Sequence, residues 1–420
     1  MATLTDWKIP DNVPADRIAD IDMYNLHGLE DGYQEAWSKA CPPGTPDLIW
    51  TPRTGGHWIA TNGDTIHEIY SDPDRFSSEV IFLPKEAGEA YAMVPTRMDP
   101  PEHTPYRKAL TKGLSAPQVG AAEEQIRAIA ADLISRFAGL GHCDFAADYA
   151  GIFPVKVFMT MADLPMEDVD TLCGFAAAMT RPSGSTPEEQ AASLDAANKG
   201  FFDYLRPIVR ARRGANGRDL ITVTINNQVD GQAMSEENEL GLVALLLLAG
   251  LDTVVNFLNF VMIYLARHPQ TVAQLRQNPD ALRRNAEEMF RRFPVVSEAR
   301  MVAKDIEYRG VHLKRGDMIL MPTSLHGLDP NKNANPWLLD LHRSGGQHST
   351  FGAGPHRCVG LHLARLEVIV SIQEWLKAIP AFQLKAGSQP TYHAGIVAAV
   401  KNVQLEWEVG GWATAQPDQR

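Results

Sequence analysis

The sequence predicts a mainly α-helical protein with small antiparallel β-sheets, folded as one compact domain over residues 1–420. Three observations point there. Apolar residues recur at helical spacing through most of residues 105–295. Alternating, strand-like stretches are short and confined to three regions near 48–60, 306–321 and 395–409. No low-complexity linker divides the chain, although 420 residues alone suggest two or three domains.

Taken in order, residues 1–30 are polar and irregular, with Pro10 and Pro14. Residues 32–40 form a short helix, and 48–60 read as a β-hairpin turning at Gly55 and Gly56. The Pro- and Gly-rich segment 84–105 is loop. Helical patterns follow at 107–114, 118–139, 154–162, 167–179, 187–213, 236–268 and 279–293, with a loop at 214–217. Residues 306–313 alternate as strand, and Arg315-Gly316 turns the chain into a second strand at 318–321. After a long loop, 359–379 is helical and 395–409 alternates again.

Composition narrows the function. Lys and Arg number 39 against 51 Asp and Glu, a formal charge of −12, which argues against a nucleic-acid-binding surface. Cys41, Cys143, Cys173 and Cys358 are far apart and form no CxxC pair, so neither a disulfide framework nor a zinc site is expected. That usage suits a reducing cytosol, and the N-terminus lacks a basic region followed by an apolar run; the expected location is cytoplasmic. Residues 240–266 are long enough to span a bilayer, but Asp252, Thr253, Asn256 and Asn259 lie near the middle. A long central helix over 240–268, buried in the protein, is the expectation.

The segment with most chemical content runs from Phe351 to Gly360, Phe-Gly-Ala-Gly-Pro-His-Arg-Cys-Val-Gly. It is a glycine-rich loop that delivers Cys358 just ahead of a helix. A helix N-terminus stabilises a thiolate, and glycines let backbone N–H groups turn toward the sulfur. Such hydrogen bonds tune a metal–thiolate bond, and Phe351 would shield the sulfur from water. Two other readings of the same residues stand beside this one: a buried free cysteine in a turn, and a Cys358–His356 nucleophile.

The spacing Phe351-Gly-x-Gly-x-His-x-Cys-x-Gly360 resembles the haem-binding loop of the cytochrome P-450 monooxygenases. Glu288-Met-Phe-Arg291 matches that family's Glu-x-x-Arg, two residues that face each other on a helix. Ala249-Gly-Leu-Asp-Thr253 matches its oxygen-activation motif. The resemblance covers essentially the whole chain and is closest to bacterial camphor hydroxylases, as in Pro95-Thr-x-Met-Asp-Pro-Pro-Glu102 and Gly250-Leu-Asp-Thr-Val-Val-Asn-Phe-Leu258. It implies the P-450 fold around a buried haem b. Cys358, in the haem-ligand loop 351–360, would be the axial thiolate on iron. Asp252 and Thr253 would deliver protons, with Ala249 and Gly250 leaving room for dioxygen. Arg107, Arg300 and His356, with His103 as a further donor, would meet the haem propionates. Glu298 stands where the camphor enzymes carry Asp. Glu288 and Arg291 would be structural.

The resemblance also implies a substrate pocket of Phe82, Tyr91, Thr96, Thr180, Leu245, Leu248, Val296, Ile396 and Val397. Together they describe a small apolar cavity with one phenol that donates a hydrogen bond, which suits a rigid terpenoid ketone such as camphor, hydroxylated at an unactivated C–H bond; an ionone or cineole is the alternative. Glu79, Gly88, Glu89 and Tyr91 match a loop that holds potassium in the camphor enzymes. No flavin or nicotinamide fingerprint and no ferredoxin cysteine set is present, so electrons must arrive from another protein. By resemblance that partner is a 2Fe–2S ferredoxin fed by an NADH-dependent reductase. It would dock on a basic patch of Arg107, Lys108, Lys112, Arg357 and Arg365. A haem-binding sensor without catalysis is the remote alternative.

Overall fold

The computed structural model describes residues 7–86, 94–180, 187–229 and 231–409. Among them the α-helices are α1 (Tyr33–Ala40), α2 (Gly63–Ser71), α3 (His103–Gly113), α4 (Ala116–Ala121), α5 (Glu123–Ser135), α6 (Phe153–Met161), α7 (Val169–Thr180), α8 (Pro187–Arg212), α9 (Leu220–Ile225), α10 (Glu236–Arg267), α11 (Pro269–Gln277), α12 (Pro279–Asn285), α13 (Glu287–Arg292), α14 (Ser324–Gly327) and α15 (Leu361–Ala378). The strands are β1 (Leu48–Thr51), β2 (His57–Ala60), β3 (Phe76–Ser77), β4 (His142–Asp144), β5 (Gln228–Val229), β6 (Gln232–Ala233), β7 (Ser297–Val302), β8 (Ile306–Tyr308), β9 (Val311–Leu313), β10 (Met318–Pro322), β11 (Gln383–Leu384), β12 (Thr391–His393), β13 (Ala399–Lys401) and β14 (Gln404–Glu406). The mainly helical expectation holds.

The largest sheet has the order β1-β2-β10-β7-β3. Its β1–β2, β7–β10 and β3–β7 pairs are antiparallel, but β2 and β10 run parallel, Trp58 opposite Ile319. The sheets are therefore not all antiparallel. A parallel pair joins strands far apart in sequence, so local alternation carries no sign of it.

Helix α10 is the axis of the molecule. The Ser235 hydroxyl accepts the Asn238 N–H at 3.2 Å, and Glu236, Glu237 and Glu239 fill the first turn. Both features favour the positive end of the helix dipole. Pro269 ends the helix by restricting His268, and starts α11 from its own first position. Helices α6, α7, α8, α9 and α15 and strand β13 pack around α10. It is the one helix among the described residues long and apolar enough to cross a membrane, but 59% of its most apolar window is buried inside the protein.

Several helices depart from their expected limits. The 118–139 pattern divides at Ala122 into α4 and α5, and 279–293 divides at Ala286 into α12 and α13. Helices α2, α9 and α11 were not expected. The α9 run Ile221-Thr-Val-Thr-Ile225 is β-branched throughout and locally favours strand. Its Asp219 cap, which accepts Thr222 N–H at 2.9 Å, and its packing against α3 and α10 override that preference. At the C-terminus, the alternating stretch 395–409 forms two strands: β13 pairs with β12, and β14 lies between β11 and β4.

Candidate active site

The cysteine loop is built by close approach. Gly352 and Gly354 adopt φ of +65° and +64°, the left-handed region that glycine enters without strain. A Cβ at Gly354 would lie 2.6 Å from the Tyr70 carbonyl oxygen and 2.9 Å from Ser71 Cα, so α2 packs directly on the loop backbone. The Cys358 N–H donates to the Phe351 carbonyl at 2.8 Å and closes the turn three residues before α15. Cys358 is exposed by area, yet the protein atoms around it desolvate the thiol and push its pKa up. That combination sets the sulfur on a recess within the protein rather than on bulk solvent. The Gly360 N–H and the cations of Arg107 and Arg365 act in the opposite direction, favouring the thiolate, while Glu298 opposes it.

Phe351 is enclosed. Its ring lies 4.7 Å from that of Phe290, which stacks at 4.4 Å on Phe257 of α10. The Arg365 guanidinium covers it at 5.2 Å. Arg365 is also ion-paired with Glu287, whose other oxygen lies 3.1 Å from His348 Nε2. Arg365 is therefore compensated locally, and this corrects its place in the expected basic patch. Lys108, Lys112 and Arg357 are exposed as expected. A cleft of about 620 Å³ runs beside Lys108, Lys112 and Pro355 on that face. A second cleft, of about 600 Å³, lies at the far end of α10 among Tyr264, Arg292 and Trp337 and holds none of the expected site residues.

Glu288 and Arg291 form a doubly hydrogen-bonded pair at 2.7 and 2.8 Å, 2% and 0% exposed. Arg291 also donates to the carbonyls of Gly327, Pro336 and Leu338, and Glu288 accepts from Asp340 N–H and Arg343 Nε. Every charge is satisfied, which a buried ion pair requires. Arg343, missing from the sequence reading, is the third member; its separation of 52 residues from Arg291 carries no local signal.

The residues expected at the propionates converge in part. His103 and His356 lie with ring centroids 4.2 Å apart. Burial lowers both, to about 4 and about 3, with nearby cations adding to the effect. His356 Nε2 is buried and has no hydrogen-bond partner among the described residues. Arg300 is 3% exposed, lies 5.2 Å over the ring of Tyr70, and stands 3.7 Å from Glu298. Glu298 is thus engaged by Arg300. Arg107 donates to the Arg357 carbonyl, and burial lowers its pKa while Cys358 raises it. Buried cations and an unpartnered imidazole nitrogen around a cysteine loop are a donor set that fits a haem carboxylate. Tyr70 belongs to this group and was not expected. The same geometry weighs against a Cys–His nucleophile, because the thiol is pushed up while the imidazole is pushed down and packed, tilted by 44°, against another imidazole.

On α10, the Thr253 hydroxyl donates to the Ala249 carbonyl at 3.1 Å. Asn256 Nδ2 donates to the Asp252 carbonyl at 2.8 Å and to its carboxylate at 3.0 Å. Ala249 is exposed and a Cβ on Gly250 would meet open space, midway along the helix. Leu245, Leu248, Phe82, Thr96, Val296, Ile396 and Val397 are all half-buried rather than core. Val296 and Val397 form a β-bridge, and Ser297 N–H binds the Ile396 carbonyl at 2.8 Å, so three of these pocket residues are adjacent. Tyr91, Gly88 and Glu89 lie outside the described residues, as does the side chain of Thr180. Of the expected potassium loop, Glu79 is exposed and its carbonyl accepts Arg97 Nε at 2.6 Å.

Comparison with known proteins agrees over nearly the whole chain. The family model described as "Cytochrome P450" matches residues 179–390. A probable cytochrome P450 127A1 of Sinorhizobium fredii is 32% identical over 407 residues, 95% of this chain and 97% of that protein. Among solved structures, CYP101J2 is 40% identical with a TM-score of 0.88, covering 96% of this chain and all of that one. CYP101C1 is 35% identical with the same TM-score and coverage.

Proposed function

The chain belongs to the cytochrome P450 family and is a haem-binding monooxygenase, and from that premise we propose that it hydroxylates an unactivated C–H bond of a small apolar terpenoid ketone, most closely camphor. The observation that carries the reading is the loop that presents Cys358 at the head of α15, with a buried cationic and imidazole set beside it. Bound haem supplies the oxygen chemistry. Cys358 would hold the iron; Arg107, Arg300, His103 and His356 would hold the propionates, with Glu298 orienting Arg300.

The protein's own residues do the rest. Phe351 keeps water from the Cys358 sulfur. The half-buried side chains of Leu245, Leu248, Val296, Ile396 and Val397 bind and orient an apolar substrate and exclude water. Tyr91 donates a hydrogen bond to the substrate carbonyl and sets its orientation. Ala249 and Gly250 keep the α10 backbone open to a small ligand. Asp252 holds and passes a proton at its carboxylate, and the Thr253 hydroxyl receives it at the open face of the helix.

A separate 2Fe–2S ferredoxin, reduced by an NADH-dependent reductase, supplies electrons. The exposed Lys108, Lys112 and Arg357 beside the cysteine loop support an acidic partner. Four scattered cysteines without a disulfide support a cytoplasmic location.

The test is a screen of terpenoids that follows the ferric spin-state shift, then product identification with the reconstituted electron-transfer chain. Camphor or a near bicyclic ketone should give the largest shift and a single hydroxylated product. Tyr91→Phe should weaken that binding and scatter the products. A strong shift with an ionone or cineole and none with camphor would reassign the substrate. A haem-free, colourless protein would end the monooxygenase reading.

A further inference from the structure

Two adjacent glutamates begin α13, and the structure uses them differently. Glu288 is consumed by Arg291 and Arg343. Glu287 turns the other way, toward the cysteine loop. One of its oxygens is ion-paired with Arg365, and the other lies 3.1 Å from His348 Nε2. These two partners flank one ring: Arg365 lies over Phe351 at 5.2 Å, and His348 stands at 6.3 Å. His348 Nδ1 accepts the Thr350 N–H at 3.4 Å, which leaves Nε2 as the protonated nitrogen facing Glu287. The Thr350 hydroxyl is held by the Phe290 carbonyl at 2.6 Å, and the Phe290 ring supports Phe351 from the remaining side.

We propose that Glu287 is a positioning residue for the thiolate: by holding Arg365 and His348 around Phe351, it fixes the ring that keeps water from the Cys358 sulfur. The proposal rests on the reading of Cys358 as the haem ligand. The backbone gives the same clamp a second route, because the Phe351 carbonyl is the acceptor for Cys358 N–H at 2.8 Å. A carboxylate is needed at 287 because it must accept from a guanidinium and an imidazole at once, and the His348 side chain, 9% exposed, is ion-paired with no other group among the described residues. Loss of the clamp lets water donate hydrogen bonds to the sulfur, which withdraws electron density from the iron.

The experiment uses the haem-loaded protein without any redox partner. Glu287→Ala, Glu287→Gln and Arg365→Met are compared with the wild type by spectroelectrochemical reduction potential and by the absorption of the ferrous carbon monoxide complex. Circular dichroism reports the fold. Glu287→Ala and Arg365→Met should shift the potential in the positive direction and lose the thiolate-ligated spectrum roughly tenfold faster. Glu287→Gln, which keeps the shape without the charge, should fall between. Folded variants with the wild-type potential and spectrum would overturn the proposal, and Glu287→Gln decides the matter if the alanine variant does not fold. A wild-type protein without any thiolate signature would instead refute the reading of Cys358, a separate outcome.

Discussion

Asn256 holds Asp252 from one turn further along α10. Its amide donates to the Asp252 carbonyl at 2.8 Å and carboxylate at 3.0 Å, and its own oxygen accepts Val400 N–H at 3.2 Å. The amide is 2% exposed, so nothing in solvent replaces these bonds. Asn256→Ala is expected to destabilise the protein by about 1–3 kcal/mol, the cost of an orphaned buried group. Asp252→Asn should slow substrate-dependent oxygen consumption sharply and leave the substrate dissociation constant unchanged. Equal turnover by Asp252→Asn and wild type would remove the carboxylate from proton delivery.

The Glu288–Arg291 pair is closed against water, and the half-buried Arg343 reaches it from the edge. Glu288→Gln leaves the buried Arg291 guanidinium and the half-buried Arg343 short of a counter-charge and should cost about 3–5 kcal/mol. Chemical denaturation of the haem-loaded variant measures this directly. A midpoint within error of the wild type would show the cluster to be replaceable.

His326 makes stability depend on acid. It is 4% exposed, bonded to Ser349, and faces His348, His67, Asp64 and Lys332. Burial, assisted by the neighbouring cations, lowers its pKa from 6.5 to about 3. The unfolded chain therefore takes up the proton first as pH falls. Stability from this group is complete above about 6.5 and declines toward pH 3, by up to about 1.4 kcal/mol per pH unit. His326→Gln should flatten that part of the stability profile, read by urea titration at stepped pH.

Partner docking should depend on salt. Lys108 and Lys112 are exposed beside Pro355, whereas Arg365 is taken up by Glu287. Lys108→Glu with Lys112→Glu should raise the ferredoxin concentration needed for half-maximal turnover. The wild-type rate should fall as ionic strength rises. A rate indifferent to both would point to an apolar contact instead.

The parts legible in the sequence are those whose chemistry is local. The glycines around Cys358, the i to i+3 pair Glu288–Arg291 and the polar interruption of an apolar helix at Asp252 and Thr253 each sit within one turn or loop, and each appears where it was expected. The parts that escaped are made by distance. Arg343 reaches Glu288 across 55 residues, Tyr70 of α2 meets Arg300 of β7, and β2 finds β10 from a distant part of the chain. Arg365 shows the same limit from the other side: its charge is plain in the sequence, but Glu287, 78 residues earlier, decides whether that charge is available to a partner. Helix α9 was lost for a different reason, since its β-branched run has the wrong local preference and is made helical by a cap and its neighbours.

The contact between Gly354 and Tyr70 sets a limit on redesign. With 2.6 Å between a would-be Cβ and the Tyr70 carbonyl, no side chain enters at 354 without prising helix α2 from the loop. Tyr70 lies beneath Arg300, so such a change would travel from the cysteine loop to Arg300 in a single displacement. Libraries aimed at new substrates would do better to leave both segments untouched and to vary the half-buried side chains at 245, 248, 396 and 397, which lie away from this contact.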